Sequence, residues 1–518
     1  MQQQNNNTYN QSPIGQMPPQ QPPMPMRQRM MKGMRRMQEI FPRWLSIYPI
    51  VTYILAMTVV SFIYSSYTLP WYYIIMGVFS ILIFFLYGGK VANDNSIDRV
   101  WREKRFERRI FIMAFIPRVL FMFLLYEIFQ TNYGDAFGFE ASDALFYDEL
   151  GVAFAESFQQ GDFISTWKET TKYLDISDMG YGYYLGFIYW ISNNSIIVAR
   201  LLKCIWSSLT VLLIYRLAKR NFGDQTGRIA AMFCALWPNF WYYCAVHLKE
   251  TEMAFLAVLF IEQADQMLRS RQFTAWKIIP VLLIAAALFT VRTPLGLVAL
   301  LSLVLSVVMS STKVVTWGKR VIVGGLAIAL IGIVAGNQLE EQTRGLFEQV
   351  QDGYQEGNMK WRSERKDQGG NQQKFAKYAG SAVFAPMIFT LPFPTMVRPF
   401  EGQEVQQFLH GSNFVKNIIS YFTILAMILL LMSGRWREHL LPLSFILGYL
   451  VVVALSAFAH SERFHQPAMP IEMMFAAYGL SIAVTKPKYK RWFMYWCALM
   501  FIASIVWNWF KLAGRGLT

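Results

Sequence analysis

A short polar segment between two apolar stretches carries the side chains best suited by type and spacing to do chemistry. It contains Asp143, Tyr147 and Asp148, and its pattern predicts a helix that runs to Ser157. Asp143 and Tyr147 are four residues apart and would share one helix face, whereas Asp148 would point elsewhere. A carboxylate here could take a proton from an incoming hydroxyl or amine. The alternative is that Asp143 only caps the helix, and the spacing alone does not choose between the two interpretations.

Three charged turns are candidates for binding an anionic substrate. One contains Lys249 and Glu250, which could also be a snorkelling lysine beside a helix-starting glutamate. Arg292 lies between two apolar spans, where it needs an anionic partner such as a lipid phosphate or a loop carboxylate. The third turn precedes a helix and suits anion binding, and its side chains are Glu462, Arg463 and His465.

The sequence predicts no definite cofactor. His460 and His465 are five residues apart and lack a third obvious ligand, so a divalent metal is left open without a clear ligand set. The four cysteines lie within or at the ends of apolar spans, have no CxxC spacing and are expected to be small apolar filler: Cys204, Cys234, Cys244 and Cys497.

The composition is that of an all-α polytopic membrane protein. Of 518 residues, 54% are hydrophobic and only 16% are charged, which is too little charge for a soluble surface. Apolar runs of about 17–22 residues recur, and each could cross a hydrocarbon core of about 30 Å. We predict about 13 spans, at about 45–66, 70–88, 110–130, 195–215, 228–245, 250–268, 276–291, 294–311, 320–336, 415–432, 440–459, 466–484 and 492–510. A shorter apolar piece, Tyr181 to Ile191, is predicted as a half-span or a surface-lying helix.

The net charge of +15 reflects topology. With the N-terminus in the cytoplasm, the inner segments hold about 29 Lys and Arg and the short outer turns about three, as the positive-inside rule demands. We therefore expect the positive charge to attract anionic membrane lipids and not to bind nucleic acid. We predict a multi-pass protein of the cell inner (cytoplasmic) membrane, with the candidate residues on the external face.

The pattern divides the chain into five parts. They are a disordered polar tail with a basic juxtamembrane segment (1–44), an additional transmembrane hairpin with a basic inner loop (45–109), a transmembrane core (110–336) with an external catalytic loop (131–180), a large external loop (337–414), and C-terminal transmembrane helices (415–518). The two large external loops are expected to carry short interfacial helices, and the proline-rich second half of the later one could border a substrate cleft. We expect no cleavable signal peptide, because the first apolar run starts near residue 45.

Three stretches together resemble the GT-C class of membrane glycosyltransferases, in the branch of protein O-mannosyltransferases and lipid A aminoarabinose transferases. They are Asp143 to Gly151, the run from Gly180 to Glu250, and Glu462-Arg463-Phe-His-Gln-Pro467-Ala-Met-Pro470. Their order, spacing and sidedness carry the resemblance. We expect three departures from the family: two additional spans, about 45–88, no soluble C-terminal domain, and His465 where many relatives have another basic or apolar residue.

The resemblance implies transfer of a sugar from a polyprenyl-phosphate carrier to a lipid, glycan or protein acceptor on the external face. By family position Asp143 would be the base, with Asp148 as the runner-up. One carboxylate is enough when the phosphate of the leaving group is clamped. The substrate-binding residues implied are Tyr147, Lys249, Glu250, Arg292, Glu462, Arg463 and His465. A polysaccharide polymerase or ligase that uses lipid-linked sugars, or a lipid or sugar transporter, remains the alternative.

Overall fold

The protein is described by a computed structural model, which covers residues 41–93, 103–172, 176–270, 274–309, 324–325, 387–398, 404–455 and 461–514. All of them lie in one compact unit, Ile40–Thr518. The predicted polar tail, the span at 320–336, most of the large loop at 337–414 and His460 lie outside the described residues.

The described residues are almost entirely helical, which confirms the all-α part of the predicted fold class. The helices are α1 (Arg43–Ile63), α2 (Trp71–Ala92, with one π-helical turn at Ile83–Tyr87), α3 (Glu103–Tyr133), α4 (Ala141–Gln159), α5 (Ser165–Thr170), α6 (Ile176–Ser192), α7 (Ile196–Phe222), α8 (Asp224–Leu236), α9 (Pro238–Ala245), α10 (Glu250–Arg269), α11 (Ala275–Val291), α12 (Thr293–Met309), α13 (Glu404–Phe408), α14 (His410–Met432), α15 (Leu440–Leu455), α16 (Glu462–His465), α17 (Met469–Ala483) and α18 (Pro487–Gly514). Single 3-10 turns occur at Ser65–Tyr67, Gly138–Glu140 and Arg435–His439. The one β-bridge within the described residues joins Thr68 to Val397.

Seven helices in the described part of the chain are long and apolar enough to cross a membrane. They are α1, α2, α3, α7, α14, α15 with the turn before it, and α18, and each coincides with a predicted span. The count of about 13 is not confirmed. Helices α11, α12 and α17 are apolar but shorter, with 17, 17 and 15 residues, and α10 carries acids at both ends.

The predicted span at 228–245 is divided, because Pro238 begins a new helix, α9. Proline lacks an N–H and clashes with the preceding turn, so α8 has to end before it and leaves carbonyl groups without helical donors. Arg118 of α3 supplies donors to two of these carbonyls, with Nη2 2.9 Å from the Cys234 oxygen and Nη1 3.1 Å from the Ala235 oxygen. A fully buried arginine therefore stabilises the break in the span.

The additional N-terminal hairpin packs against the C-terminal helices, α1 on α18 and α2 on α14. Tyr53 of α1 forms a 2.9 Å hydrogen bond with Nε2 of His410 at the start of α14. Next to it α2 and α14 cross at two glycines, where a Cβ on Gly411 would lie 2.6 Å from the Cα of Gly77. The hairpin is thus joined to the core by a crossing that has no room for side chains.

This crossing predicts the effect of one added methyl group. Gly411→Ala should lower the melting temperature of the purified protein, since overpacking against backbone costs about 1–3 kcal/mol. Gly88→Ala is the control, because its Cβ would lie 3.2 Å from the flexible end of the Leu236 side chain and alanine favours helices. Equal melting temperatures for the two variants would contradict the close crossing.

Candidate functional site

Arg463 of α16 donates hydrogen bonds to carboxylates from two distant segments of the chain. Its Nη1 donates to Oδ2 of Asp143 in α4, and its Nε donates to Oε1 of Glu250 at the start of α10. The side chain of Glu250 is 1% exposed and that of Arg463 10%, whereas that of Asp143 is 53% exposed. The cluster is therefore buried at Glu250 and exposed at the protein surface at Asp143.

Asp143 is the third residue of α4, which begins at Ala141. A carboxylate in the first helical turn is stabilised by the backbone N–H groups and by the positive end of the helix dipole. Because the helix starts before it and its carboxylate accepts from Arg463, capping does not account for Asp143.

Lys249 is buried, and protein atoms accept hydrogen bonds from its ammonium. The acceptors are the Ser177 carbonyl at 2.9 Å, the Val291 carbonyl at 2.9 Å and Oδ1 of Asp178. A lysine ammonium has three hydrogens, so this set matches its full donor capacity. Lys249 therefore fastens α6 and the end of α11 to the start of α10, and its ammonium does not snorkel toward solvent.

Asp178 joins this lysine to the helix that carries Asp143. Its Oδ1 also accepts from the Tyr147 hydroxyl at 3.0 Å. Burial by itself would raise the pKa of Asp178, but the Lys249 charge and the hydrogen bonds from Lys249 and Tyr147 hold that pKa below its usual value. Burial, followed by the charge of Asp178, raises the pKa of Tyr147, so its phenol remains a hydrogen-bond donor. Burial lowers the pKa of Lys249, and Asp178 opposes that change.

Arg292 completes a positive group at this end of the helices. It follows Val291, whose carbonyl accepts from Lys249, and its guanidinium lies 4.5 Å from the ring centroid of Phe464, the residue after Arg463. An arginine over an aromatic face is held by cation–π attraction and keeps its hydrogen-bond donors available at the ring edge. Four predicted residues that are far apart in the sequence, Asp143, Lys249, Arg292 and Arg463, thus belong to one cluster.

Asp148 faces a different set of partners. Its Oδ1 accepts from the Tyr189 hydroxyl and lies 3.7 Å from Nε2 of His247. Burial raises the pKa of Asp148 above its usual value, although the hydrogen bond from Tyr189 opposes this. Burial lowers the pKa of His247, so its imidazole is neutral near pH 7. Asp143 and Asp148 therefore contact different groups of residues, as their helical spacing predicts.

The other two predicted residues of the third turn are buried beside Arg463. Nδ1 of His465 lies 2.8 Å from the ammonium of Lys416 in α14, and the backbone carbonyl of Glu462 accepts from Gln466 at 3.2 Å. His465 therefore connects α16 to α14. No group of three or more potential metal ligands occurs within the described residues.

Asp178 was missed by the sequence analysis. The predicted helix there began at Tyr181, whereas α6 begins at Ile176, so Asp178 was left in the preceding loop. A usable signal was present, because Asp178 is the third residue of α6 as Asp143 is the third residue of α4. An acid in the first turn is so common, however, that it does not by itself indicate a site.

Comparison with known proteins finds one family that part of this chain resembles. Residues 179–335 match the family model of the dolichyl-phosphate-mannose-protein mannosyltransferases. This segment is similar to a family of GT-C membrane glycosyltransferases. The donors of that family are sugars carried on polyprenyl phosphate, which is the donor class that the resemblance implied. No curated protein and no solved structure matches the chain.

The matched segment covers only part of the candidate site. It contains Lys249, Glu250 and Arg292, begins one residue after Asp178 and ends before Arg463. Asp143 also lies outside it. The structure joins these outer residues to the matched segment through the contacts of Arg463 and Lys249.

The Arg463–Glu250 contact predicts a test of the cluster by stability. Arg463→Gln leaves a buried carboxylate without its main counter-charge, and such a change costs about 3–5 kcal/mol. The double variant Arg463→Gln/Glu250→Gln should recover part of that loss. Thermal unfolding of the purified proteins measures both.

A matched control uses the exposed pair of Arg435 and Glu438, whose side chains are 49% and 56% exposed. Arg435→Gln should change stability by no more than about 1 kcal/mol, as is usual for surface pairs. If Arg463→Gln behaves like this control, Arg463 and Glu250 are not a buried ion pair.

Proposed function

We propose that this glycosyltransferase moves a sugar from polyprenyl phosphate to a hydroxyl-bearing acceptor at the external face of the membrane, with Asp143 as the base. The observation that carries the proposal is the contact of Arg463 with both Asp143 and Glu250. It puts a cation suited to a phosphate beside an open carboxylate suited to a proton, which are the two groups that this reaction needs.

In the proposed reaction the acceptor oxygen attacks the anomeric carbon of the donor sugar while the bond from that carbon to the phosphate oxygen breaks. The acceptor proton passes to the Asp143 carboxylate. Polyprenyl phosphate leaves with the bonding electrons, and Arg463 and Arg292 stabilise its negative charge. No general acid is required, since a clamped phosphate is already a good leaving group.

The resting contact between Arg463 and Asp143 suggests how donor binding prepares the base. A donor phosphate would compete with Asp143 for Nη1 of Arg463, because both are anions that accept from the same guanidinium edge. Glu250 would keep hold of Nε and so fix the orientation of the guanidinium plane. Asp143 would then be released toward the acceptor.

The surroundings of the two acids favour Asp143 over Asp148 as the base. The Asp143 side chain is 53% exposed, whereas that of Asp148 is 22% exposed and is held by Tyr189 close to His247. An acceptor could reach Asp143 without breaking internal hydrogen bonds other than the one to Arg463. Asp148 would instead hold α4 against α6.

Turnover of the two asparagine variants tests this assignment. Asp143→Asn preserves shape but removes the proton acceptor, so kcat should fall at least about a hundredfold, the low end of general-base contributions. Donor binding should not weaken, because the variant removes a competitor for Arg463. Asp148→Asn should retain far more activity. Loss of activity in Asp148→Asn with normal turnover in Asp143→Asn would make Asp148 the base.

Cysteine labelling tests the external location. In a background that lacks the four native cysteines, Gln160→Cys, exposed directly after α4, should react with a membrane-impermeant maleimide in intact cells. Lys488→Cys, exposed at the start of α18, should react only after permeabilisation. The reverse labelling pattern would put the Asp143 cluster on the cytoplasmic side and would contradict the proposed topology.

A further inference from the structure

The carboxylate of Asp178 is held through one of its two oxygens, yet the side chain is partly exposed. Within the described part of the chain, its partners all bind Oδ1: the Lys249 ammonium and the Tyr147 hydroxyl. Its side chain nevertheless remains 37% exposed. An acid that served only to neutralise Lys249 could be enclosed as Glu250 is, so the exposure calls for a second role.

We propose that Asp178 binds the sugar of the donor, accepting a hydrogen bond from a sugar hydroxyl through Oδ2 while Lys249 and Tyr147 hold Oδ1. This inference rests on the proposed function, since it takes the donor phosphate to lie at Arg463 and Arg292. It adds a sugar-binding residue that neither the sequence pattern nor the family match contains.

The position of Asp178 fits the sugar better than it fits the phosphate or the acceptor. A carboxylate repels a phosphate but accepts readily from hydroxyl groups, which sugars offer in several directions. Lys249 binds both Asp178 and the carbonyl of Val291, the residue before Arg292, so Asp178 lies near the proposed phosphate site. The sugar is bonded directly to the phosphate and would therefore be within its reach.

The anchoring of Oδ1 gives the second oxygen a fixed direction. Asp143 and Asp178 occupy the same position in the first turns of two helices, α4 and α6, that pack together and are linked by Tyr147. One acid would then face the acceptor and the other the sugar. Because the lysine and the phenol already restrict the Asp178 side chain, little rotamer freedom remains to be lost when a sugar binds.

The experiment compares two lipids with one chemical difference. Purified full-length protein is titrated with polyprenyl phosphate and with polyprenyl phosphate bearing mannose, the sugar in the description of the matched family. Asp178→Asn keeps a carbonyl oxygen for Lys249 and Tyr147 but loses the charged acceptor. We expect the Kd for the mannose lipid to rise about tenfold or more, as for loss of a charge-assisted hydrogen bond. The Kd for the bare lipid should not rise, since a like charge near the phosphate has been removed.

The matched control is Asp162→Asn. Asp162 follows α4, and within the described residues its side chain accepts from two nearby backbone N–H groups, at 3.1 Å from Ile164 and 2.9 Å from Ser165. This variant should bind both lipids like the wild type. Should Asp178→Asn fail to fold, Tyr147→Phe replaces it, because it loosens the same anchor and should weaken the mannose lipid selectively, though less.

The outcomes separate the inference from the function on which it rests. Parallel weakening of both lipids by Asp178→Asn would mean that Asp178 acts only through Lys249, and the inference would fail. Unchanged binding of both lipids would also overturn it. A wild-type protein that binds the bare lipid but gains nothing from mannose contradicts the sugar contact alone. A wild-type protein that does not bind the bare lipid contradicts the donor proposal itself.

Discussion

The structure depends on one requirement, that a largely enclosed arginine must have anions around it. Arg463 satisfies it with Asp143 and Glu250, which come from α4 and α10. A guanidinium stays charged at any ordinary pH, and leaving such a charge enclosed without a partner is costly. The three helices are therefore drawn to one point, and that point has the charges of a phosphate site.

The turn before α10 makes this point rigid. Its residues bind three helices: His247 contacts Tyr189 of α6, the Leu248 carbonyl accepts from Lys203 of α7, and Lys249 holds α6 and α11. Glu250 is the next residue and accepts from Arg463. A carboxylate fixed on so many sides can orient a guanidinium closely, and transfer from a phosphate carrier depends on such positioning.

Much of this organisation could be predicted from the sequence. Apolar length and the distribution of Lys and Arg indicated the protein class, and the acids and arginines of the cluster were chosen from their positions at the ends of spans. Pairing was out of reach, because the spacing of Asp143, Lys249 and Arg463 says nothing about which carboxylate faces which cation. The span count is not confirmed, because Pro238 divides one predicted span and because α11, α12 and α17 are short. Asp178 was missed because its helix begins earlier than its apolar pattern.

The most direct test of the account is a structure of the full chain with polyprenyl phosphate bound. The account predicts the phosphate within hydrogen-bond distance of both Arg463 and Arg292, with the Arg463–Asp143 contact broken and the Arg463–Glu250 contact retained. Lys249 should keep its protein partners. A phosphate bound elsewhere, with Arg463 still on Asp143, would contradict the claim that this cluster is the donor site.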